Sequence, residues 1–449
     1  MNELPVADEA TALATAEGVQ PQPGRGLQAD VLMMVAAKVG VLVFGAATTV
    51  LVARSLGPSG RGSLATVYAL MTLLAQLGTL GIASANPYFV AREPKLRARI
   101  ASNSFWLAGT VGPTVALVGI AVKLVAPGAL SEVTWPELSV GMIAVPMLLA
   151  SLFLQSILLA EGRTVLFNGV DVGAALLTVI LVATVLPLAG GGVLLALSLM
   201  IAPQIVALLV LMGAMQTDAP LFAALDRHLA RRMIGYGARA YVITLLAYLL
   251  IRLDLLLVSA IQGAGAAGQY SVAVAFADAL YLLPLAVGLN LFARVARGHA
   301  DHELSLEVFH VMTIGFGLVC VVAGLLAGPA ITLLFGPAYH PAIALFQWLL
   351  PGIYALGLLN VIAYYFAAKG MPWELIFVWL VGLAINLAIN LSLLSNHGTY
   401  VASIASSVAY TLVLILHMRM FARELGGWSR LRPTMAGLTS TMRLALRLD

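Results

Sequence analysis

Long apolar stretches recur along the chain, and short polar or glycine-rich turns separate each stretch from the next. Because the hydrocarbon core of a bilayer is about 30 Å thick, a helix that spans it needs about 20 mostly apolar residues. Twelve stretches meet this requirement, which predicts an all-α integral membrane protein with about twelve transmembrane helices. The predicted spans lie near residues 31–54, 63–87, 102–126, 138–160, 166–188, 193–215, 237–260, 268–293, 306–327, 342–366, 373–394 and 400–420.

The overall composition favours the same environment. Hydrophobic residues make up 61% of the 449 residues and charged residues 10%, whereas a soluble domain carries roughly 45–50% apolar and about 25% charged residues. The single cysteine, Cys320, excludes an internal disulfide or a thiolate metal cluster. The sequence holds no GxxxxGKS or GxxxxGKT phosphate loop and no HExxH or GxSxG motif. We therefore expect no catalytic residues, metal, cofactor or nucleic-acid partner.

The basic residues predict how the chain is oriented. Cytoplasmic loops of membrane proteins are enriched in lysine and arginine. With the N-terminus in the cytoplasm, the basic segments 92–99, 227–239 and 419–447 all lie on the cytoplasmic side, and the opposite side keeps only Arg54, Arg61 and Lys123. The pattern predicts a multi-pass protein of the cytoplasmic (inner) membrane with both termini in the cytoplasm.

Several features recur at an offset of about 205 residues, which indicates an internal repeat. Asn86 and Asn290 occur late in spans two and eight, and Pro146 and Pro351 occur in spans four and ten. Since each half has six spans, both halves share one orientation and are related by an axis along the membrane normal. The predicted parts are a flexible cytoplasmic tail (1–29), an N-terminal six-helix lobe (30–216), an interfacial linker (217–235), a C-terminal six-helix lobe (236–421) and a basic cytoplasmic tail (422–449).

The linker between the two lobes shows helical periodicity. Its apolar side chains recur at helical spacing, and its arginines lie mostly off that stripe. This arrangement favours an amphipathic helix in the plane of the membrane interface, with a solvated linker as the alternative. The apolar positions are Leu221, Phe222, Leu225, Leu229 and Met233.

Two cations within the predicted spans are candidates for binding an anion. Lys38 lies in span one and Arg252 in span seven, where an ionised side chain costs about 2.5–3.5 kcal/mol on insertion scales. One interpretation is that both line a cavity and attract an anionic group such as a diphosphate, Arg252 with a planar fork and Lys38 as a point charge. The alternative is structural: Arg252 pairs with an acid on a neighbouring helix, and Lys38 extends toward the interface.

The acidic and amide side chains in the spans are further candidates. Residues two apart on a helix do not face each other, so Asp254 is not expected to neutralise Arg252. Asp254 and Asp278 are candidates for coupling to a cation or a proton, whereas Asp171 is interpreted as a helix-end residue. Asn86 and Asn290 either face a shared substrate cavity or end their helices near the cytoplasmic edge.

Four short motifs then resemble those of a known family. Residues 54–62 resemble an LGP-x-G-x-G turn, and 252–254 followed by 268–273 resemble an R-x-D … G-x-Y-x-x-A stretch. Residues 334–339 are similar to an LFG-x-x-Y segment and 368–372 to an A-x-G-x-P turn. These motifs, in this order over about residues 30–420, resemble the O-antigen and exopolysaccharide repeat-unit flippases of the multidrug/oligosaccharidyl-lipid/polysaccharide (MOP) exporter superfamily.

The resemblance implies both an architecture and a function. It implies two six-helix lobes arranged as a V around a central cavity, alternating access, and a polyprenyl-diphosphate-linked oligosaccharide as cargo during cell-surface polysaccharide synthesis. The expected partners are this lipid-linked oligosaccharide, membrane lipids, and a polysaccharide polymerase or glycosyltransferases. Two alternatives stay open: a cation-coupled multidrug extruder of the same superfamily, and a non-transporting scaffold of a polysaccharide-assembly complex.

Overall fold

The computed structural model describes residues 27–216, 221–296, 302–368 and 372–431, and these residues form α-helices and short 3₁₀ turns with no strand. The helices are α1 (Leu27–Gly78), α2 (Ile82–Arg92), α3 (Arg97–Val125), α4 (Trp135–Ala160), α5 (Thr164–Leu188), α6 (Val193–Gln216), α7 (Arg227–Gln262), α8 (Ala264–Ala296), α9 (His302–Phe335), α10 (Pro341–Ala368), α11 (Glu374–His397) and α12 (Tyr400–Leu425).

Helix α1 contains the first predicted span and most of the second. Its 52 residues correspond to about 78 Å of helix, more than twice the thickness of a bilayer core. Gly57 interrupts it with φ 66° and ψ −179°, followed by Pro58, so the chain leaves the helical conformation between two spans. Eleven helices of the described residues are long and apolar enough to cross a membrane, and one of them, α1, contains two spans. The predicted all-α fold with about twelve spans is confirmed.

The chain divides into two compact units, but not at the predicted boundary. The first unit holds the described residues up to Ser271 together with Leu334–Ala338, and the second holds Val272–Leu333 and the described residues from Tyr339 onward. The predicted C-terminal lobe began at residue 236, whereas α7 belongs to the first unit. The two units therefore differ from the predicted lobes at α7.

Close packing on α1 and on the turn that follows it explains why α7 belongs to the first unit. Directly after the end of α7, the Ala264 carbonyl oxygen of α8 would lie 1.7 Å from a Cβ on Gly62 of α1, and near the start of α7 a Cβ on Gly237 would lie 2.2 Å from the oxygen of Gly81, in the turn after α1. Only glycine permits such approaches, which small residues commonly provide between membrane helices. Between these two points the Tyr241 hydroxyl donates to the Leu77 carbonyl over 2.7 Å.

The interfacial helix predicted over 217–235 is not a separate helix in its described part, 221–235, and 217–220 lie outside the described residues. Helix α7 begins at Arg227 and runs unbroken to Gln262, so the apolar stripe at Leu229 and Met233 belongs to its first turns. Asp226 caps this helix by accepting backbone N–H bonds from Leu229 and His228. These bonds, that of Leu229 first, hold the pKa of Asp226 below its usual value.

Side chains of α3 bind the short segment that precedes α7. Ser102 and Trp106 both donate to the Ala223 carbonyl, at 2.7 and 2.9 Å. Asn103 donates to the Asp226 carbonyl over 2.9 Å and accepts the Asp226 N–H over 2.8 Å. Side chains of α3 therefore satisfy backbone groups of Ala223 and Asp226 that a helix would otherwise pair.

Small and polar side chains join the helices of the second unit. The Ser407 hydroxyl donates to the Trp348 carbonyl over 2.7 Å and accepts the Gly352 N–H over 3.1 Å, which links α12 to α10. Asn386 of α11 donates to Ser406 of α12 over 3.3 Å. Hydrogen bonds of this kind hold membrane helices together where the hydrophobic effect does not act between them.

Candidate functional site

Lys38 lies in a cluster built by three helices of the first unit. Its Nζ atom is 3.8 Å from Oδ2 of Asp171 on α5 and 5.4 Å from the centre of the Phe167 ring. Gln155 of α4 donates to the other Asp171 oxygen over 3.1 Å. The Lys38 side chain is 61% exposed and that of Asp171 26%. The cluster therefore holds an exposed cation within the first predicted span, beside an acid that was not predicted to be its partner. The predicted binding of an anion by Lys38 stays a prediction.

The sequence does contain a signal that identifies Asp171 as the partner of Lys38, because the two residues lie at similar depths in their predicted spans. Residue 38 is seven residues into the predicted span that begins at 31, and residue 171 is five residues into the span that begins at 166. At 1.5 Å per residue both charges lie within about 10 Å of the predicted cytoplasmic edge. An intramembrane lysine needs a partner, and Asp171 is an acid at about the same depth as Lys38. It is therefore not merely a helix-end residue.

Arg252 lies on the face of α7 that packs against the second half of α1. The hydroxyl of Tyr68, on α1, lies within electrostatic range of Arg252, Arg61 and Tyr248. The Tyr68 ring is 43% exposed. Two turns further along α7, Ser259 accepts a hydrogen bond of 2.7 Å from Thr66 of α1. Arg252 is thus placed beside an exposed aromatic ring on a helix of the same unit.

Asp254 lies on a different face of α7 from Arg252, as their spacing predicted. Its carboxylate is 2% exposed. It accepts a short hydrogen bond from the hydroxyl of Tyr270 on α8 and the N–H of Leu255 over 2.8 Å. Tyr270 is itself fully buried. The contacts give Asp254 a packing role between α7 and α8, and its predicted coupling role stays a prediction.

The remaining acid and one of the two predicted amides lie in the second unit. Asp278, on α8, is half-buried and lies within electrostatic range of Tyr281. The Tyr281 hydroxyl accepts a hydrogen bond of 2.7 Å from Asn360 of α10. The side chain of Asn290 lies outside the described part of the structure. Among the described residues, no three His, Cys, Asp or Glu side chains are grouped so that they could hold a metal ion.

The contacts of Asn86 do not favour the cavity, one of the two alternatives that the sequence left open. Its side chain has no exposed surface. The amide nitrogen donates to the Phe153 carbonyl over 3.1 Å and to the Ser156 hydroxyl over 3.0 Å, both on α4. Its oxygen accepts from Ser104 of α3 over 3.1 Å. Asn86 therefore joins α2, α3 and α4 in the core of the first unit and is not presented to a substrate.

Three of the four sequence motifs meet in the first unit. Arg54 of the first motif donates to the Leu334 carbonyl of the third over 2.7 Å. Gln269 of the second motif donates to the Ala338 carbonyl of the third, also over 2.7 Å. A Cβ on Gly268 would lie 1.9 Å from the Pro58 oxygen. The contacting parts of these motifs therefore form a packing junction. Arg252 belongs to the second motif but is not one of these contacts, and Lys38 lies outside the motifs, earlier on α1.

A family model described as polysaccharide biosynthesis protein matches residues 27–287, more than half of the chain. The chain belongs to the polysaccharide biosynthesis protein family. The matched range contains the Lys38 cluster, Arg252 and Asp254, so both candidate cations lie within the family region. No curated protein matches the chain in sequence.

Solved structures of MOP superfamily transporters share the fold of this family member. The lipid II flippase MurJ, in an inward closed conformation, superposes with a TM-score of 0.70 at 12% identity, over 87% of each chain. An inward-facing multidrug resistance MATE family transporter gives 0.67 at 13% identity, over 88% of this chain and 98% of that one. A MOP superfamily transporter from Pyrococcus furiosus gives 0.64 at 14% identity, over 95% and 99%. The protein is a multi-pass membrane protein of the MOP fold, and its cargo has to be argued from its own residues.

Proposed function

We propose that this protein translocates a polyprenyl-diphosphate-linked oligosaccharide from the cytoplasmic to the outer leaflet of the cytoplasmic membrane. The observation that carries the proposal is the exposed ammonium of Lys38 within a membrane-spanning helix. An accessible charge at this depth is costly unless it serves an ion pathway or a substrate. The family and the MurJ-like fold support a lipid-linked saccharide as that substrate.

The chemistry of such a cargo explains why a protein is needed. A diphosphate and its sugars lose their hydrogen bonds to water in hydrocarbon, which costs several kcal/mol for each unpaired polar group. An ammonium and a guanidinium replace part of that hydration with charge-assisted hydrogen bonds to phosphate oxygens. The polyprenyl chain is apolar and remains in the lipid.

Two cations at different depths suit a head group that moves along the membrane normal. Lys38 precedes Gly57 by 19 residues, and Arg252 precedes Gly263 by 11 residues. These intervals correspond to about 28 Å and 16 Å of helix, so Lys38 lies about 12 Å nearer the cytoplasmic side. In this proposal Lys38 contacts the diphosphate first, and Arg252, beside Tyr68, contacts it later.

Alternating access is the mechanism that the relatives favour. Multidrug resistance MATE family transporters of the MOP superfamily are known in an inward-facing and an outward-facing conformation, and this chain resembles these two structures with TM-scores of 0.67 and 0.64. Because the fold occurs in both conformations among similar proteins, it supports the same alternation here. Both termini lie in the cytoplasm in this proposal, where a polysaccharide polymerase or glycosyltransferases are the expected partners.

A multidrug extruder is the second candidate, and the structural similarity to multidrug resistance transporters favours it. The two candidates differ in the sign of the charge that the site must attract. A drug extruder that exports cationic compounds needs a free acid, whereas the most exposed charge of the Lys38 cluster is a cation. Deletion should change resistance to cationic drugs in one case and surface polysaccharide in the other.

Complementation of a deletion strain tests the proposal. Wild-type protein should restore surface polysaccharide, and Lys38→Ala and Arg252→Ala should fail to do so at normal abundance on an immunoblot. Arg252→Lys should restore part of the export, because it keeps the charge and loses the bidentate fork. Normal polysaccharide with both alanine variants, or unchanged polysaccharide after deletion, would contradict the proposal.

A further inference from the structure

We infer that Asp171 is a resident counter-ion of Lys38, which holds the cation between transport cycles and which the diphosphate of the cargo displaces. The inference rests on the proposed function, because it takes the competing anion to be that diphosphate. It gives a role to Asp171, which the sequence alone suggests is only a helix-end residue.

The distance between Lys38 and Asp171 and the exposure of the lysine allow another anion to take the place of Asp171. The Nζ to Oδ2 distance of 3.8 Å exceeds the 2.7–2.9 Å of a close charge-assisted hydrogen bond. The lysine side chain is 61% exposed, and its ammonium has three N–H donors. Phosphate oxygens can therefore approach Lys38 from its open side while Asp171 is still in place.

Asp171 is held in position independently of Lys38. Gln155 of α4 donates to Oδ1 over 3.1 Å, which leaves Oδ2 directed at the ammonium. Phe167 lies one turn earlier on the same face of α5, and its ring centre is 5.4 Å from Nζ. The ammonium thus lies beside a carboxylate and an aromatic ring that both belong to α5, and the carboxylate can pair again when another anion leaves.

This arrangement weakens cargo binding and promotes release. When a site is free for only a fraction of the time, its apparent affinity falls by that fraction. A diphosphate carries more negative charge than one carboxylate, so it displaces Asp171 when it enters. When the diphosphate departs, Asp171 neutralises Lys38, so the empty transporter does not carry an unpaired charge at membrane depth.

Binding measurements on the purified full-length protein in detergent test the inference. The probes are farnesyl diphosphate, inorganic pyrophosphate and uncharged farnesol, titrated against tryptophan fluorescence. Asp171→Asn should bind farnesyl diphosphate and pyrophosphate roughly two- to fivefold more tightly than wild type, since a partly exposed ion pair is lost as a competitor. Farnesol binding should not change. A stronger gain for farnesyl diphosphate than for pyrophosphate would identify a lipid-linked diphosphate as the ligand.

A double variant makes the test specific for competition. Lys38→Ala should lose diphosphate binding, and Lys38→Ala/Asp171→Asn should match Lys38→Ala, because Asp171 has nothing to compete for once the ammonium is gone. Glu374→Gln, which removes one negative charge at an exposed position in the first turn of α11, is the matched control and should match wild type. A difference between Lys38→Ala and the double variant would overturn the inference. If Asp171→Asn does not fold, Gln155→Ala tests the same competition, because it removes the hydrogen bond that holds Asp171 in place. Gln155→Ala should bind farnesyl diphosphate more tightly than wild type, and unchanged or weaker binding would overturn the inference.

The outcomes separate this inference from the proposed function. If wild type binds farnesyl diphosphate and Asp171→Asn binds it no more tightly, the counter-ion role is wrong and the proposed function stands. If wild type prefers neither diphosphate over farnesol, the proposed function falls, and this inference falls with it.

Discussion

Replacing Asn86 by alanine tests whether this side chain belongs to the core of the first unit or to a substrate cavity. The amide makes three hydrogen bonds, two to α4 and one to α3, and has no exposed surface. Alanine removes all three bonds and leaves a small void. Of the partners, Ser156 keeps its 2.7 Å bond to the Phe153 carbonyl, whereas the hydroxyl of Ser104 loses its acceptor.

The expected cost follows from these contacts. Hydrogen bonds between membrane helices average about 0.6 kcal/mol each, with a maximum of about 1.7. Three such bonds give about 2 kcal/mol, and the orphaned Ser104 hydroxyl raises the total toward about 3 kcal/mol. A loss of 2 kcal/mol lowers the folded-to-unfolded ratio by a factor of about 30.

Reversible unfolding with SDS in mixed micelles measures this free energy. Asn396→Ala is the matched control, because Asn396 is exposed at the end of α11, and it should unfold like wild type. Ser104→Ala should cost less than Asn86→Ala, and the two changes should not add, since they remove a shared bond. Wild-type stability of Asn86→Ala together with loss of diphosphate binding would refute the packing role and restore the cavity interpretation.

Three further predictions concern packing and orientation. Tyr270→Phe removes the hydroxyl that donates to the buried Asp254 carboxylate, so it should destabilise the protein by about 1.5–3 kcal/mol in the same assay; unchanged stability would revive a purely functional role for Asp254. Gly62→Val places a Cβ 1.7 Å from a backbone oxygen of α8, so it should abolish the monodisperse peak in size-exclusion chromatography. In a Cys320→Ser background, Glu132→Cys should react with an impermeant thiol reagent from outside the cell, and Arg231→Cys should not. The reverse result would contradict the predicted topology.

Hydrophobic length sufficed to predict the spans, because a bilayer imposes the same requirement on every helix that crosses it. Turn residues likewise predicted the break between the first two spans, where Gly57 leaves the helical conformation with φ 66° and ψ −179°. Neither signal predicted that α7 belongs to the first unit, because the close approach of Gly237 to Gly81 depends on packing between segments more than 150 residues apart.

Part of the candidate functional site was predictable because charged side chains are rare and costly inside a membrane. The cost of intramembrane charge singled out Lys38 and Arg252 from sequence alone, and helical geometry predicted that Arg252 and Asp254 face different neighbours. Periodicity does not reveal which buried amide is satisfied by other helices, so the sequence left open whether Asn86 faces a cavity or ends its helix, whereas it bridges α2, α3 and α4. The partnership of Asp171 with Lys38 required a comparison of depths between spans.

In the proposed function, Lys38 and Arg252 carry a diphosphate-linked lipid across the membrane. A leaflet-exchange assay tests this in proteoliposomes that hold the purified protein and a fluorescent polyprenyl-diphosphate oligosaccharide, with an impermeant quencher outside. Wild type should accelerate exchange of this lipid, and Lys38→Ala and Arg252→Ala should reduce exchange to the rate of protein-free liposomes. Exchange by both variants at the wild-type rate, or no acceleration by wild type, would contradict the proposed function.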